Sequence, residues 1–245
     1  MAVSPPSGDT PGPLPWPTRF FRARLERGAY LGLHLTIGAM VTLLAGWAFG
    51  VIAEDVMASA AIVELDQHLA RWFNSHATPL VIGTAKVATF LGGGVWVTGL
   101  TVFLSLLLGF ERHWYRLAAL VLTVGGGSLI NVILKHYFER PRPEVENPIL
   151  HLSTYSFPSG HTISATLLYG VLALYIAQRS PSWPRRILAA LAGVTLIFLV
   201  ALSRVCLGVH YLSDVLGAVC VGLMWLAACV TGVEVIRRRK VARSR

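Results

Sequence analysis

Charged residues are scarce in this chain of 245 residues, where Asp, Glu, Lys and Arg together make up only 13%. Soluble domains carry about 25%. Hydrophobic residues make up 54%, so the composition excludes an ordinary soluble domain and predicts an integral membrane protein. The few cysteines, Cys206, Cys220 and Cys229, show no zinc-site spacing, and we interpret them as small core residues.

Acidic residues are fewer than basic ones, which gives a net charge of +9. Such an excess is typical of nucleic-acid-binding proteins. Here, however, the Lys and Arg residues lie in short clusters between long uncharged runs. Membrane proteins fix their orientation by this pattern. The sequence therefore favours the lipid bilayer as the partner and predicts no binding to nucleic acid.

An apolar run followed by a small-residue cleavage site is also lacking in residues 1–27, so we do not expect these residues to act as a secretory signal. Prolines are frequent from Pro5 to Pro17 and exclude a helix or a central strand there. We expect residues 1–27 to form a disordered, Pro- and Arg-rich cytoplasmic tail. Residues 237–245 are predicted to form a basic cytoplasmic tail at the other end.

Long apolar segments are abundant, and they run from 17 to 31 residues, whereas a helix needs roughly 20 to cross a bilayer. They predict an all-α, polytopic membrane protein with six transmembrane helices in one domain, residues 28–236. The predicted spans are 28–53, 80–110, 117–134, 159–178, 187–203 and 210–236. The glycines at 92–94 predict a bend in the second span, and those at 125–127 predict close helix contact in the third.

Residues 54–79, between the first two spans, mix acidic and apolar side chains. Leu65, Leu69 and Trp72 fall at helical spacing in this stretch. An apolar stripe on an otherwise polar helix is typical of a helix that lies in the membrane interface. We therefore predict an amphipathic interfacial helix here.

Most of the 21 Lys and Arg residues lie in the two tails or in the links after the second and fourth spans. With six spans these segments share one side, which the positive-inside rule assigns to the cytoplasm. The exceptions, on or near the other side, are Arg71, Lys86, Lys135, Arg140, Arg142 and Arg204. An anion-binding site on the outer face would explain them.

Three polar clusters converge on that outer face, because the third and fifth spans end there and the fourth and sixth begin there. In the last cluster His210 and Asp214 are four residues apart, which places them on the same face of a helix. A carboxylate one turn away orients an imidazole as a nucleophile or a base. Taken alone, such a pair is more typical of a solvated helix face than of a catalytic site.

The other two clusters supply groups that bind negative charge. The helix that begins near Ser159 offers free N–H groups, which bind phosphate readily. Alone, Ser159 fits an N-cap and Lys135 a basic helix end that reaches the interface. The converging set is Lys135, Arg142, Ser159, Gly160, His161 and Arg204. This set suits phosphoryl transfer without a metal ion, since the cations would repel one.

The clusters read, in order, Lys135-x6-Arg142-Pro143, Pro158-Ser159-Gly160-His161 and Ser203-Arg204-x5-His210-x3-Asp214. They resemble the three-part signature of the type-2 phosphatidic acid phosphatase superfamily. That superfamily also includes undecaprenyl-diphosphate, phosphatidylglycerophosphate and lipid A phosphatases, glucose-6-phosphatase and vanadium haloperoxidases. The resemblance covers residues 135–214 and implies an acid-phosphatase/haloperoxidase-like helical core with no cofactor and no metal.

The resemblance implies a role for each matching residue. His210 would be the nucleophile, Asp214 would hold its other ring nitrogen, and His161 would protonate the leaving oxygen and then activate water. Phosphate would be bound by Lys135, Arg142, Ser159, Gly160 and Arg204, with Arg140 as a further contact to a head group or second phosphate. Ser203 would support Arg204.

The implied function is hydrolysis of a lipid phosphate or diphosphate through a phosphohistidine, on the outer face of the plasma (inner) membrane. Undecaprenyl diphosphate is the first expected substrate, followed by phosphatidylglycerol phosphate and phosphatidic acid. A lipid phosphotransferase stays open as an alternative. So does an anion or lipid transporter, although the chain lacks the internal repeats frequent in transporters and binding alone would not need the His/Asp pair.

Overall fold

The computed structural model describes residues 30–58, 61–144 and 153–243. Within these ranges the regular structure is entirely helical, which confirms the predicted all-α fold. The helices are α1 (Tyr30–Met57), α2 (Ala61–Ser75), α3 (Pro79–Phe90), α4 (Gly94–Phe110), α5 (Trp114–Phe138), α6 (Gly160–Arg179), α7 (Trp183–Cys206) and α8 (Leu212–Arg243). The tail predicted over residues 1–27 lies outside the described residues.

Six segments in the described part of the chain are long and apolar enough to cross a membrane. They are α1 from Leu35, α3 and α4 together, α5, α6, α7, and α8 up to Val241. This confirms the six predicted spans, and the protein is a multi-pass membrane protein. The basic residues from Arg237 onward continue α8 as far as Arg243.

The second span consists of two helices, because the chain turns at residues 91–93. A Cβ on Gly92 would lie 2.5 Å from the Val200 side chain and 2.9 Å from the carbonyl oxygen of His161. The Tyr169 hydroxyl donates to the carbonyl oxygen at the start of the turn, at 2.7 Å. The predicted bend is therefore confirmed, and glycine is needed because α6 and α7 approach the turn closely.

Helix α6 lies at the centre of the bundle, in contact with α4, α5, α7 and α8. Its buried side chains include Ile163, Leu167 and Leu168, which join the main hydrophobic core. A Cβ on Gly127 of α5 would lie 2.0 Å from Leu167 Cδ1. Close helix contact is thus confirmed at Gly127 and also at Gly126, where a Cβ would lie 2.6 Å from the Trp225 ring, but nothing lies within 4 Å of a Cβ on Gly125.

The link before α6 is anchored by aromatic packing. Phe157 is fully buried, and its ring lies 5.8 Å from that of Phe49 on α1 and 4.9 Å from that of Phe138 at the end of α5. Burying an aromatic ring of this size is strongly stabilising. The start of α6 is therefore held against the ends of two other helices.

Gly92 provides a test of this packing. We expect Gly92→Ala to lower the free energy of unfolding by about 1–3 kcal/mol, because the new methyl group overlaps a β-branched side chain and a backbone oxygen. The matched control is Gly94→Ala, since nothing lies within 4 Å of a Cβ there. Thermal unfolding in detergent should show a lower Tm for the first variant only, and equal Tm values for both variants would contradict the packing.

Candidate active site

The three sequence motifs meet at one end of the bundle, where α5 and α7 end and α6 and α8 begin. His161, on the first turn of α6, lies within electrostatic reach of Lys135, Arg142, Arg204 and His210. The topology thus brings together the charged residues that the sequence placed at the outer face. Cations predominate in this cluster.

His210 and Asp214 are in contact, but not through a regular helix. Helix α8 begins at Leu212, so His210 lies in the preceding turn and Asp214 in the first helical turn. Asp214 Oδ2 lies 3.2 Å from His210 Nδ1 and accepts a hydrogen bond from the backbone N–H of Tyr211 at 2.9 Å. The carboxylate therefore caps the start of α8 and orients the imidazole at the same time.

Burial makes His210 a neutral imidazole. The side chain is 2% exposed, and burial lowers its pKa to about 4, with Arg204 and Arg142 acting in the same direction and Asp214 opposing them. When Nδ1–H donates to Asp214, Nε2 carries no proton. An unprotonated Nε2 is a nucleophilic atom.

Arg142 faces that nucleophilic atom. Its Nη1 lies 3.3 Å from His210 Nε2 and donates to the Val209 carbonyl oxygen at 2.6 Å. Its Nε and Nη2 donate to the carbonyl and hydroxyl oxygens of Thr154 at 2.7 and 2.9 Å. Burial lowers the pKa of Arg142, and the charge of Asp214 opposes that shift. The guanidinium is therefore held in one orientation beside the imidazole.

Lys135, in the last turn of α5, donates to the carbonyl oxygen of Tyr155. Arg142 Nη2 approaches the same oxygen at 3.3 Å. One carbonyl group thus holds two cations side by side, although their like charges repel each other. A bound anion would relieve this repulsion.

Arg204 is almost fully buried at the end of α7, with 2% of its surface exposed. Its Nη1 donates to the hydroxyl oxygen of Thr89 on α3 at 2.6 Å, a partner that the sequence analysis missed. Its Nε has no hydrogen-bond partner among the described residues. An unpaired buried donor is costly, and a ligand oxygen is a usual explanation. Ser203, expected to support Arg204, donates to the Val200 carbonyl oxygen.

Ser159 ties the start of α6 to the start of α8. Its backbone N–H donates to the carbonyl oxygen of Asp214 at 3.1 Å. Its buried hydroxyl oxygen accepts from Thr162 at 3.0 Å and makes no side-chain cap to the helix. A Cβ on Gly160 would lie 2.9 Å from the Asn131 amide of α5. The second motif is thus packed tightly between three helices.

The His161 ring lies against the turn between α3 and α4, where a Cβ on Gly93 would be 3.8 Å from its Nε2. The side chain is half-buried. Two histidines therefore face one cluster of cations, with the one at 210 buried and the one at 161 more open. This difference suits two different tasks in acid–base chemistry.

Arg140 donates its hydrogen bonds to acidic and hydroxyl groups. Its Nη1 donates to the Ser213 hydroxyl at 2.7 Å and to Asp214 Oδ1 at 2.6 Å, and its Nη2 donates to Asp66 Oδ2 at 2.9 Å. The guanidinium also lies over the ring of Tyr211, 4.4 Å from its centroid. The structure thus directs Arg140 at two carboxylates, whereas the sequence had placed it at a head group or second phosphate.

The family model described as the PAP2 superfamily matches residues 116–238. Phosphatidylglycerophosphatase B of Bacillus subtilis is 36% identical over 138 residues, which cover 56% of this chain and 67% of that protein. Undecaprenyl-diphosphatase BcrC of the same organism is 32% identical over 102 residues, which cover 40% of this chain and 48% of that protein.

Two solved structures are similar. The transmembrane PAP2-type phosphatidylglycerolphosphate phosphatase of Bacillus subtilis matches with a TM-score of 0.71 and 26% identity, over 81% of this chain and 96% of that chain. Aquifex aeolicus LpxE matches with a TM-score of 0.53 and 25% identity, over 68% of this chain and 94% of that chain. From the family match and these relatives, the chain belongs to the PAP2 superfamily and is a membrane lipid phosphatase.

Proposed function

We propose that this protein hydrolyses a lipid phosphate or diphosphate by transferring the phosphoryl group first to His210 and then to water. The observation that supports this most strongly is the pairing at His210. Its Nδ1 contacts a buried carboxylate, and its Nε2 faces the guanidinium of Arg142. An anion drawn to the guanidinium would meet the lone pair of the imidazole.

In the first half of the reaction, Nε2 of His210 attacks the terminal phosphorus atom, and the bond from that phosphorus to the oxygen of the leaving lipid alcohol or lipid phosphate breaks. His161 gives its proton to that oxygen as it leaves. The negative charge of the bound phosphate favours the protonated form of His161 among the cations. Asp214 stabilises the positive charge that His210 acquires when it carries the phosphoryl group.

In the second half, water attacks the phosphorus atom and the bond from His210 Nε2 to phosphorus breaks. His161, now neutral, accepts the proton from water, and inorganic phosphate leaves. Lys135, Arg142 and Arg204 bind the phosphoryl oxygens in both halves, together with the backbone at Ser159 and Gly160. The unpaired Nε of Arg204 gives this role a specific donor.

We further propose that the site faces the cell exterior or periplasm and that both termini are cytoplasmic. The site lies at the end of the bundle where α6 and α8 begin, opposite the link before α7 and the basic end of α8. The positive-inside rule assigns those basic segments to the cytoplasm. Lipid substrates would then reach the site from the outer leaflet.

The two curated relatives are named for phosphatidylglycerophosphate and for undecaprenyl diphosphate. Undecaprenyl diphosphate is the first substrate expected from the sequence. The higher identity and coverage of the phosphatidylglycerophosphatase favour phosphatidylglycerol phosphate, so we propose that it is hydrolysed at least as fast. Phosphatidic acid is the third candidate.

Phosphate release from these three lipids in detergent tests the proposal. We expect the purified protein to release inorganic phosphate from at least one of them, and His210→Ala to lower that rate by more than about 10³-fold because the nucleophile is lost. The control is His76→Ala, at an exposed ring beyond the end of α2. A variant at 210 with near-normal activity would end the phosphohistidine mechanism. Phosphoryl transfer to an added acceptor lipid, without phosphate release, would favour the phosphotransferase.

Chelation tests the metal-free mechanism. We expect EDTA to leave the rate unchanged, because Lys135, Arg142 and Arg204 supply the positive charge that a metal ion would otherwise bring to the transition state. The measurement is phosphate release before and after dialysis against EDTA, with Mg²⁺, Mn²⁺ or Zn²⁺ added back. Loss of activity that a metal restores would contradict the mechanism.

A further inference from the structure

Four buried residues form a charged network behind the imidazole of His210. They are Asp66, Arg140, Ser213 and Asp214, and each is at most 8% exposed. Asp66 comes from helix α2, Arg140 from the link after α5, and the other two from the first turn of α8. Asp66 lies outside all three signature motifs, so its burial here requires its own explanation.

One guanidinium serves two carboxylates in this network. Arg140 donates to Asp214 at 2.6 Å and to Asp66 at 2.9 Å. Asp66 also accepts from the backbone N–H of Ser213 at 3.0 Å and from the Ser213 hydroxyl. Such hydrogen bonds offset the cost of burying a carboxylate. The planar fork of arginine can donate to two carboxylates at once.

The net charge of the network determines how strongly Asp214 can stabilise a positive charge on His210. Arg140 alone would neutralise Asp214 and leave a pair with no net charge. With Asp66 included, two carboxylates and one guanidinium carry one net negative charge. The groups within electrostatic reach of His210 from the other elements are Arg142, Arg204 and His161. Lys135 lies within reach of His161 and Asp214 and adds a further positive charge. The net negative charge behind the imidazole therefore opposes them.

We propose that Asp66 is a positioning residue that keeps the charge of Asp214 available to His210, by sharing Arg140 with it. This role rests on the proposed function, in which His210 becomes positively charged when its Nε2 forms a bond to phosphorus. Asp66 stabilises that state through Arg140 and Asp214 and touches no substrate. Helix α2 thereby contributes to catalysis through Asp66.

Asp66→Asn removes the charge and keeps the shape. We expect kcat for phosphatidylglycerol phosphate to fall on the order of tenfold, the effect of one pKa unit at the imidazole. Inhibition by inorganic phosphate should stay equal or become stronger, because less negative charge lies near the anion site. If Asp66 only stabilised the fold, Asp66→Asn would lower kcat and weaken inhibition by inorganic phosphate together. The control is Glu64→Gln, an exposed carboxylate on the same helix, which should change neither.

The double variant Asp66→Asn/Arg140→Gln separates charge from packing. It removes one charge of each sign, so the network again carries one net negative charge. We expect its kcat to recover above that of Asp66→Asn, whereas independent structural damage would add and lower it further. If Asp66→Asn does not fold in detergent, the double variant is compared directly with the unmodified protein. The double variant is a fair comparison because it contains no buried guanidinium that has lost a carboxylate partner. A kcat close to that of the unmodified protein supports the proposal, and a kcat lower by about tenfold or more would contradict it.

Three results would overturn this role for Asp66. They are an unchanged kcat in Asp66→Asn, a parallel loss of kcat and phosphate inhibition, and a double variant that is slower than the single one. Measuring His210→Ala on the same lipid distinguishes a failure of this proposal from a failure of the proposed function. Turnover in His210→Ala would refute the phosphohistidine mechanism, whereas an inactive His210→Ala beside an unaffected Asp66→Asn would refute the Asp66 proposal alone.

Discussion

Repulsion between cations at the end of the bundle is the constraint on which this structure depends. Lys135, Arg142 and Arg204 lie within electrostatic reach of one another in a partly desolvated site. Their charges cost free energy because little water screens them. Hydrogen bonds to the carbonyl of Tyr155 and the hydroxyl of Thr89 fix them in place. A phosphate group would bring negative charge that offsets this repulsion, so the arrangement of the cations favours anion binding.

The fold holds these groups together through helix ends. Helices α6 and α8 begin where α5 and α7 end, and the hydrogen bond from Ser159 to Asp214 joins the two helix starts. The chain turns at Gly92, where glycine is needed because α6 and α7 approach the turn closely. This turn brings α3 and Thr89 to Arg204. The site is thus built on rigid elements, and such sites hold catalytic groups more precisely than loops do.

Much of this arrangement could be predicted from the sequence, because topology alone puts the ends of alternate spans on one face. The six spans could be predicted from the apolar runs, and the bend at Gly92 from the glycines there. The burial of Asp66 could not be predicted from the sequence. The stripe at Leu65 and Trp72 indicated an interfacial helix, yet both side chains are exposed and the opposite face, with Asp66 and Ala70, packs on the protein. The partner of Asp66 lies 74 residues away, beyond any local pattern.

Trapping of the covalent intermediate tests the central claim most directly. The protein is mixed with phosphatidylglycerol phosphate carrying a labelled terminal phosphate, quenched in alkali within milliseconds, digested and analysed by mass spectrometry. The mechanism predicts an acid-labile phosphoryl group on the imidazole of His210, which is absent when His210 is replaced by alanine. Phosphate release without any phosphorylated enzyme, or with the label on a residue other than His210, would contradict the account.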